Sequence, residues 1–275
     1  MKKLIFLASA CLVLNSTAML AQSGGGPKNT TASTQGKALT HSVKVGKDAK
    51  VLITMFSSKV QIIGHNSDEV VIETNGYTPP PARAAGLKPL YNQAEDNSGL
   101  GLAVTKEGNS LRVTKASRQS AQYTIRVPKT ASVVYEEADW TGDDITLTDI
   151  AGEIELKLNT AGATLTNVSG PVIANTTAGD INIKFSSLNQ SKPSAISSVA
   201  GTVDISLPAT TKANFKLKTI QGEVYTDFDM NLEKNNQGDL TKIAGGNNIN
   251  GKTNGGGVEM SVYTISNDMF IRKSK

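Results

Sequence analysis

The sequence predicts an all-β fold, a β-solenoid or β-helix-like stack of short strands joined at glycine turns. Two observations predict it. From Val43 onward apolar and polar residues alternate at period two, the signature of half-buried strands. Through the second half, glycines recur at spacings of 10, 10, 8, 9, 22 and 21 residues, each opening a short alternating run.

Those runs read in register as Gly142-Asp143-Asp144-Ile145-Thr146-Leu147, Gly152-Glu153-Ile154-Glu155-Leu156, Gly162-Ala163-Thr164-Leu165, Gly170-Pro171-Val172-Ile173 and Gly179-Asp180-Ile181-Asn182-Ile183. Gly201-Thr202-Val203-Asp204-Ile205 and Gly222-Glu223-Val224-Tyr225 continue the series at about twice the basic spacing. A unit of about 10 residues holds one strand and one turn, and two units make a coil of about 20, within the range of stacked solenoids. The glycines are expected to supply turns with positive φ. Alternate Ile, Leu and Val then point into a shared interior while Thr, Asp, Glu and Asn face water. A β-sandwich with regular hairpins is the competing architecture.

Before the repeat, Val51, Ile53 and Met55, then Val60 and Ile62, then Val70 and Ile72 read as strands, with a turn at Gly64–Asp68. Further strands are expected at Leu111–Val113 and at Tyr123–Val127, the latter closed by Pro128. Residues 77–103 break the rhythm. Thr78-Pro79-Pro80-Pro81 cannot feed a hydrogen-bond ladder, and a segment this long reads as a loop insertion, functional or disordered.

The first 21 residues have a basic start at Lys2-Lys3, a short apolar core and small residues at Ala18 and Ala21, the pattern of a secretory signal peptide. Cleavage is expected after Ala21, with Ala18 the alternative. Leu7–Cys11 faintly resembles a lipoprotein cleavage box, but the apolar run continues through Leu12-Val13-Leu14. Residues 22–42 are polar and read as a flexible linker, leaving 43–275 as one domain. The expected location is the periplasm, cell surface or extracellular space, with no transmembrane segment in the mature chain.

The only cysteine, Cys11, lies in the leader, so a mature chain has no disulfide, thiolate metal site or cysteine nucleophile. Without Lys2 and Lys3 the net charge falls from +4 to +2, and no basic run marks a nucleic-acid partner. His41 lies at the edge of the linker and His65 in a polar turn, neither in a serine-plus-acid arrangement that reads as a triad, so no catalytic residue is assigned. Asp143, Asp144, Asp149, Asp180 and Asp204 are the carboxylates that a polysaccharide-cleaving enzyme or a calcium site would use. Acidic residues after glycine are also ordinary turn residues, and the glycine-rich calcium repeat is missing. No cofactor or metal is expected. Gly255-Gly256-Gly257 lacks the Lys-Ser/Thr of a phosphate loop and reads as a sharp connection.

Exposed aromatics are the candidate binding surface: Trp140, Tyr77 and Tyr91. Trp140 precedes the first glycine unit and is expected to cap the repeat core, with sugar stacking or partner anchoring as the alternative. Tyr77 and Tyr91 bracket the proline-rich segment.

The serial Gly-[Asp/Glu]-[Ile/Val] units resemble a bacterial putative-adhesin family known as a domain of unknown function. So do Ile205-Ser206-Leu207-Pro208, Phe215–Thr219, Gly222–Phe228 and the closing Gly251–Lys273 with its Val258-Glu259-Met260. The resemblance spans roughly residues 43–273. It departs at Ser266-Asn267-Asp268, where the family places Asn-Gly-Asp; asparagine is expected to tolerate the left-handed turn. The resemblance implies a secreted or envelope-associated solenoid that carries no catalytic residues. The resulting expectation is a non-enzymatic envelope or surface protein that binds or scaffolds a glycan or protein along a solenoid face. The alternatives are a carboxylate-dependent polysaccharide enzyme and a periplasmic accessory of envelope stress signalling.

Overall fold

A computed structural model describes residues 38–232 and 247–274; the expected signal peptide and most of the expected linker lie outside the described residues. Strand β1 (Leu39–Lys44) begins inside the stretch expected as linker. Polar as it is, it forms because Leu39 and Val43 pack on the core while it pairs antiparallel with β4, a strand at residues Glu69–Asn75. One wet face is enough for an edge strand.

Between them lie β2 (Lys50–Met55) and β3 (Ser58–His65). After the insertion come β5 (Leu102–Glu107), β6 (Ser110–Lys115), β7 (Ala121–Pro128) and β8 (Ser132–Glu137). The repeat supplies β9 (Ile145–Thr148), β10 (Ile154–Lys157), β11 (Ala163–Val168), β12 (Val172–Thr176) and β13 (Ile181–Phe185). It continues through β14 (Ser194–Ser198), β15 (Val203–Leu207), β16 (Ala213–Thr219) and β17 (Val224–Thr226). The chain closes with β18 (Asn231–Leu232), β19 (Asn247–Thr253), β20 (Val258–Thr264) and β21 (Met269–Lys273).

From β8 to β17 successive strands alternate between two facing sheets, one strand of each per coil. The β-solenoid is therefore the fold, and the sandwich of hairpins is not. In the first sheet Leu147, Leu165, Ile183, Ile205 and Ile271 lie in one parallel register. In the second, Tyr135, Leu156, Ala174, Ile196, Val262 and Leu217 do the same. Both columns are buried, so each coil covers the apolar row of the next.

The two ends break chain order in the same way. The coil β2/β3 is inserted between β6/β7 and β8/β9, and the coil β20/β21 between β14/β15 and β16/β17. Antiparallel strands then close the stack: β4 and β1 beyond β7, β5 beyond β6, and β19 with β18 beyond β16. These edge pairings cover ladders that a parallel stack would leave open.

The repeat glycines are not what the turn argument expected. Gly142, Gly152, Gly162, Gly170, Gly179, Gly201 and Gly222 are absent from the positive-φ residues. Apart from Gly142, which faces the Glu137 side chain, they are glycine because neighbouring backbones stack too closely for a side chain. A Cβ on Gly170 would overlap the carbonyl of Gly152, and one on Gly201 the carbonyl of Gly179. The left-handed positions fall instead on Asp149 and Asn167, neighbours on successive coils, whose side chains hydrogen-bond. Asn267 also keeps negative φ, so the final turn forms without the left-handed conformation expected of it.

Candidate binding surface

The insertion is an ordered loop built on one carboxylate. Asp96 Oδ1 accepts hydrogen bonds from Ser98 N, Ser98 Oγ and Gly99 N; Oδ2 accepts from Gly101 N and from the Tyr77 hydroxyl. The Asn97 side chain bonds both backbone groups of Val104, tying the loop to β5. Burial works to raise the Asp96 pKa, but the bonds from Gly101, Tyr77 and Ser98 outweigh it and hold it below the usual carboxylate value. Tyr77 is pushed up to about 12 by burial and by the facing Asp96.

Beneath the loop, Leu100 is buried and its carbonyl accepts from the Tyr123 hydroxyl at 2.8 Å. Lys115 is fully buried and donates to that hydroxyl at 3.0 Å. Burial pushes its pKa down to about 8 and raises that of Tyr123. The floor of the loop is thus fixed by polar pairs that sequence reasoning did not single out.

Above this floor the loop encloses a cleft of about 480 Å³, whose lining includes Tyr77, Pro80, Leu87 and Pro89. The ring of Tyr77 is half-buried, and its hydroxyl is committed to Asp96. Tyr91, by contrast, is 79% exposed, and so are Leu87 (73%) and Leu90 (92%). The two leucines were not predicted; in sequence an isolated leucine in a polar stretch carries no sign of its exposure. Trp140 is 62% exposed, so it does not cap the core. It follows β8, where the main chain leaves the sheet, and it is not part of the cleft lining.

Of the aspartates considered for catalysis, Asp144, Asp149, Asp180 and Asp204 make contacts between coils, and Asp143 is exposed. Asp144 Oδ1 accepts from Gly162 N, and Asp180 Oδ1 from Thr202 N, both at 2.7 Å; Asp268 Oδ1 accepts from Glu223 N at 2.8 Å. Each carboxylate binds the amide that opens the neighbouring strand. Asp204 takes the Arg272 Nε at 2.9 Å. Glu137, buried at the end of β8, accepts from the amides of Gly142, Asn159, Thr160 and Ala161. His65 Nε2 lies 2.8 Å from the Glu69 carbonyl, and His41 stands in β1 opposite Ile72. Among the described residues no group of three or more His, Cys, Asp or Glu side chains is placed to hold a metal. No helix among them is long and apolar enough to cross a membrane.

Fold and surface together define a β-solenoid with an ordered, apolar-rimmed insertion. Residues 129–261 match the family described as Toastrack DUF4097. The match is narrower than the span on which the resemblance was drawn, and it covers the regular coils. A solved "putative cell adhesion protein" from Clostridium sporogenes is similar at 12% identity and TM-score 0.45, over 86% of this chain and 100% of that one. A "putative adhesin" from Bacteroides fragilis is similar at 14% identity and TM-score 0.36, over 86% and 97%. A "putative lipid binding protein" from Parabacteroides distasonis is similar at 9% identity and TM-score 0.25, over 87% and 98%. No curated protein matches the chain.

Proposed function

We propose that this is an exported, non-enzymatic, adhesin-like protein that binds a glycan or protein of the cell envelope or surface, with the 77–101 loop as its local contact element. The observation that carries the reading is the exposure of Leu87, Leu90 and Tyr91 on a loop whose backbone is fixed from below. Large apolar side chains held in water on a fixed support are the mark of an interaction site rather than of a core. Because the loop is already ordered, it loses little conformational entropy on meeting a partner. The coils behind it are the mount, and four of the five carboxylates that could have argued for cleavage, Asp144, Asp149, Asp180 and Asp204, are engaged between coils.

The test is co-sedimentation of the purified protein with envelope fragments of its own cells. Saturable binding is expected, with loss of most of it in the triple variant Leu87→Ser, Leu90→Ser, Tyr91→Ser. Equal binding by that variant would remove the loop from the reading, and no binding by either would remove the envelope ligand. Protease treatment of intact cells carrying a tagged copy separates the surface from the periplasm.

A further inference from the structure

The outer face of the first sheet carries a second feature, distinct from the loop. Strand pairing places Tyr225, Phe270, Asp204, Asn182 and Thr164 in one row across five adjacent strands. At the usual distance between strands the row is about 19 Å long. At its end the rings of Tyr225 and Phe270 stack at 5.1 Å with 12° between their planes, and the Arg272 guanidinium lies over Phe270 at 4.8 Å. Tyr225 is 51% exposed on β17, the last strand of the sheet.

Next to this platform the face dips into a hollow of about 200 Å³. The polar side chains around it include Thr164, Thr166, Asn182, Lys184, Ser206 and Arg272. Hydroxyls, an amide and an Asp204–Arg272 pair offer donors and acceptors side by side, the set that grips neighbouring sugar hydroxyls. Charge argues against a polyanion. Lys184 and Arg272 are offset by Asp204, and exposed Glu223 and Asp227 flank Tyr225. The row is also regular along the stack, since every coil adds a strand in register.

We propose that this face binds a neutral, extended β-linked glycan lying along the solenoid axis, with one sugar packed against the exposed edge of the Tyr225–Phe270 pair and the hydroxyls of its neighbours bonded by Asn182, Asp204 and Arg272. A β-1,4-linked chain is an extended ribbon that can follow an in-register row of side chains; an α-1,4-linked chain curls away from it. The assignment rests on the binding reading above and adds the ligand class and a separate site.

Calorimetric titration of the protein with three hexasaccharides tests it: β-1,4-linked glucose, α-1,4-linked glucose and α-1,4-linked galacturonate. The β-linked neutral chain is expected to bind best. Tyr225→Ala and Asn182→Ala are each expected to weaken it about tenfold, while Tyr225→Phe keeps it. The triple loop variant is expected to bind the hexasaccharide like the wild type, so failure of the loop reading and failure of this one are separable. Absence of binding, equal binding of the α-linked chain, preference for galacturonate, or indifference to both alanine changes would each overturn the proposal.

Discussion

The Tyr77 hydroxyl donates to Asp96 Oδ2 at 3.0 Å, joining the start of the loop to its end across 19 residues. With Gly101 N on the same oxygen, this bond fixes the apolar rim above the sheet. Asp96→Ala leaves several donors without an acceptor and is expected to cost about 2 kcal/mol locally. Limited proteolysis should then cut within residues 79–95 while the repeat stays intact; a loop as resistant as the wild type's would contradict the role given to Asp96.

The same carboxylate sets a pH dependence. Its folded pKa is depressed, so its contribution is fully present above the unfolded value of about 4 and is lost as pH falls through the lower folded value. Cleavage of the loop by an acid-active protease should rise across that window in the wild type. Asp96→Ala should be readily cut at every pH.

The pKa of Lys115 is also depressed, but there the charged form is the one that burial penalises. Buried with the Tyr123 hydroxyl as its hydrogen-bond partner, it is pushed down to about 8. Stability should therefore rise between pH 8 and the unfolded lysine value of about 10.4, and the penalty is fully present below pH 8. Lys115→Met removes a buried charge and leaves Tyr123 bonded to Leu100, so it is expected to stabilise by about 2 kcal/mol at neutral pH. Chemical denaturation of both proteins at pH 7 and pH 10 checks this, and a lower midpoint for Lys115→Met at pH 7 would refute it.

Glu137 accepts four backbone amides from the turns beside it. Glu137→Gln keeps the shape but turns an acceptor oxygen into a donor facing donors. The expected loss is about 2 kcal/mol, read as a lower thermal midpoint.

Gly170→Ala places a methyl group against the Gly152 carbonyl and should cost about 3 kcal/mol, although alanine suits an ordinary turn. Gly255→Ala is the comparison. Its methyl meets open space, but at a φ of +87° the cost is about 1 kcal/mol of backbone strain. Thermal denaturation of the pair separates stacking from turn conformation as the reason for the repeat glycines.

Legibility differed between the two levels. Alternation at Val51–Met55, Val60–Ile62 and Tyr123–Val127 marked strands because one face of each is buried. Ser194–Ser198 looked like an interruption of the repeat, yet it forms β14; Ser194 and Ser198 face inward because their hydroxyls bond Val172 N and Gly201 N. Tyr77 and Tyr91 were singled out alike, but only contacts made across the loop distinguish an anchored ring from an exposed one. Trp140 looked like a core cap because a lone tryptophan beside a repeat usually finds a core, and here the chain turns it outward.

By itself the sequence determined the all-β class, the coil of two half-units and the inward rows, because period-two alternation and glycine spacing are local consequences of a strand that buries one face. Only the tertiary structure decided that β2/β3 and β20/β21 insert between coils met elsewhere in the chain, that the repeat glycines answer stacking rather than positive φ, and that Leu87 and Leu90 stay in water. Those outcomes depend on which surfaces meet across long stretches of chain. A residue's burial is set by partners whose distance in sequence carries no periodic signal.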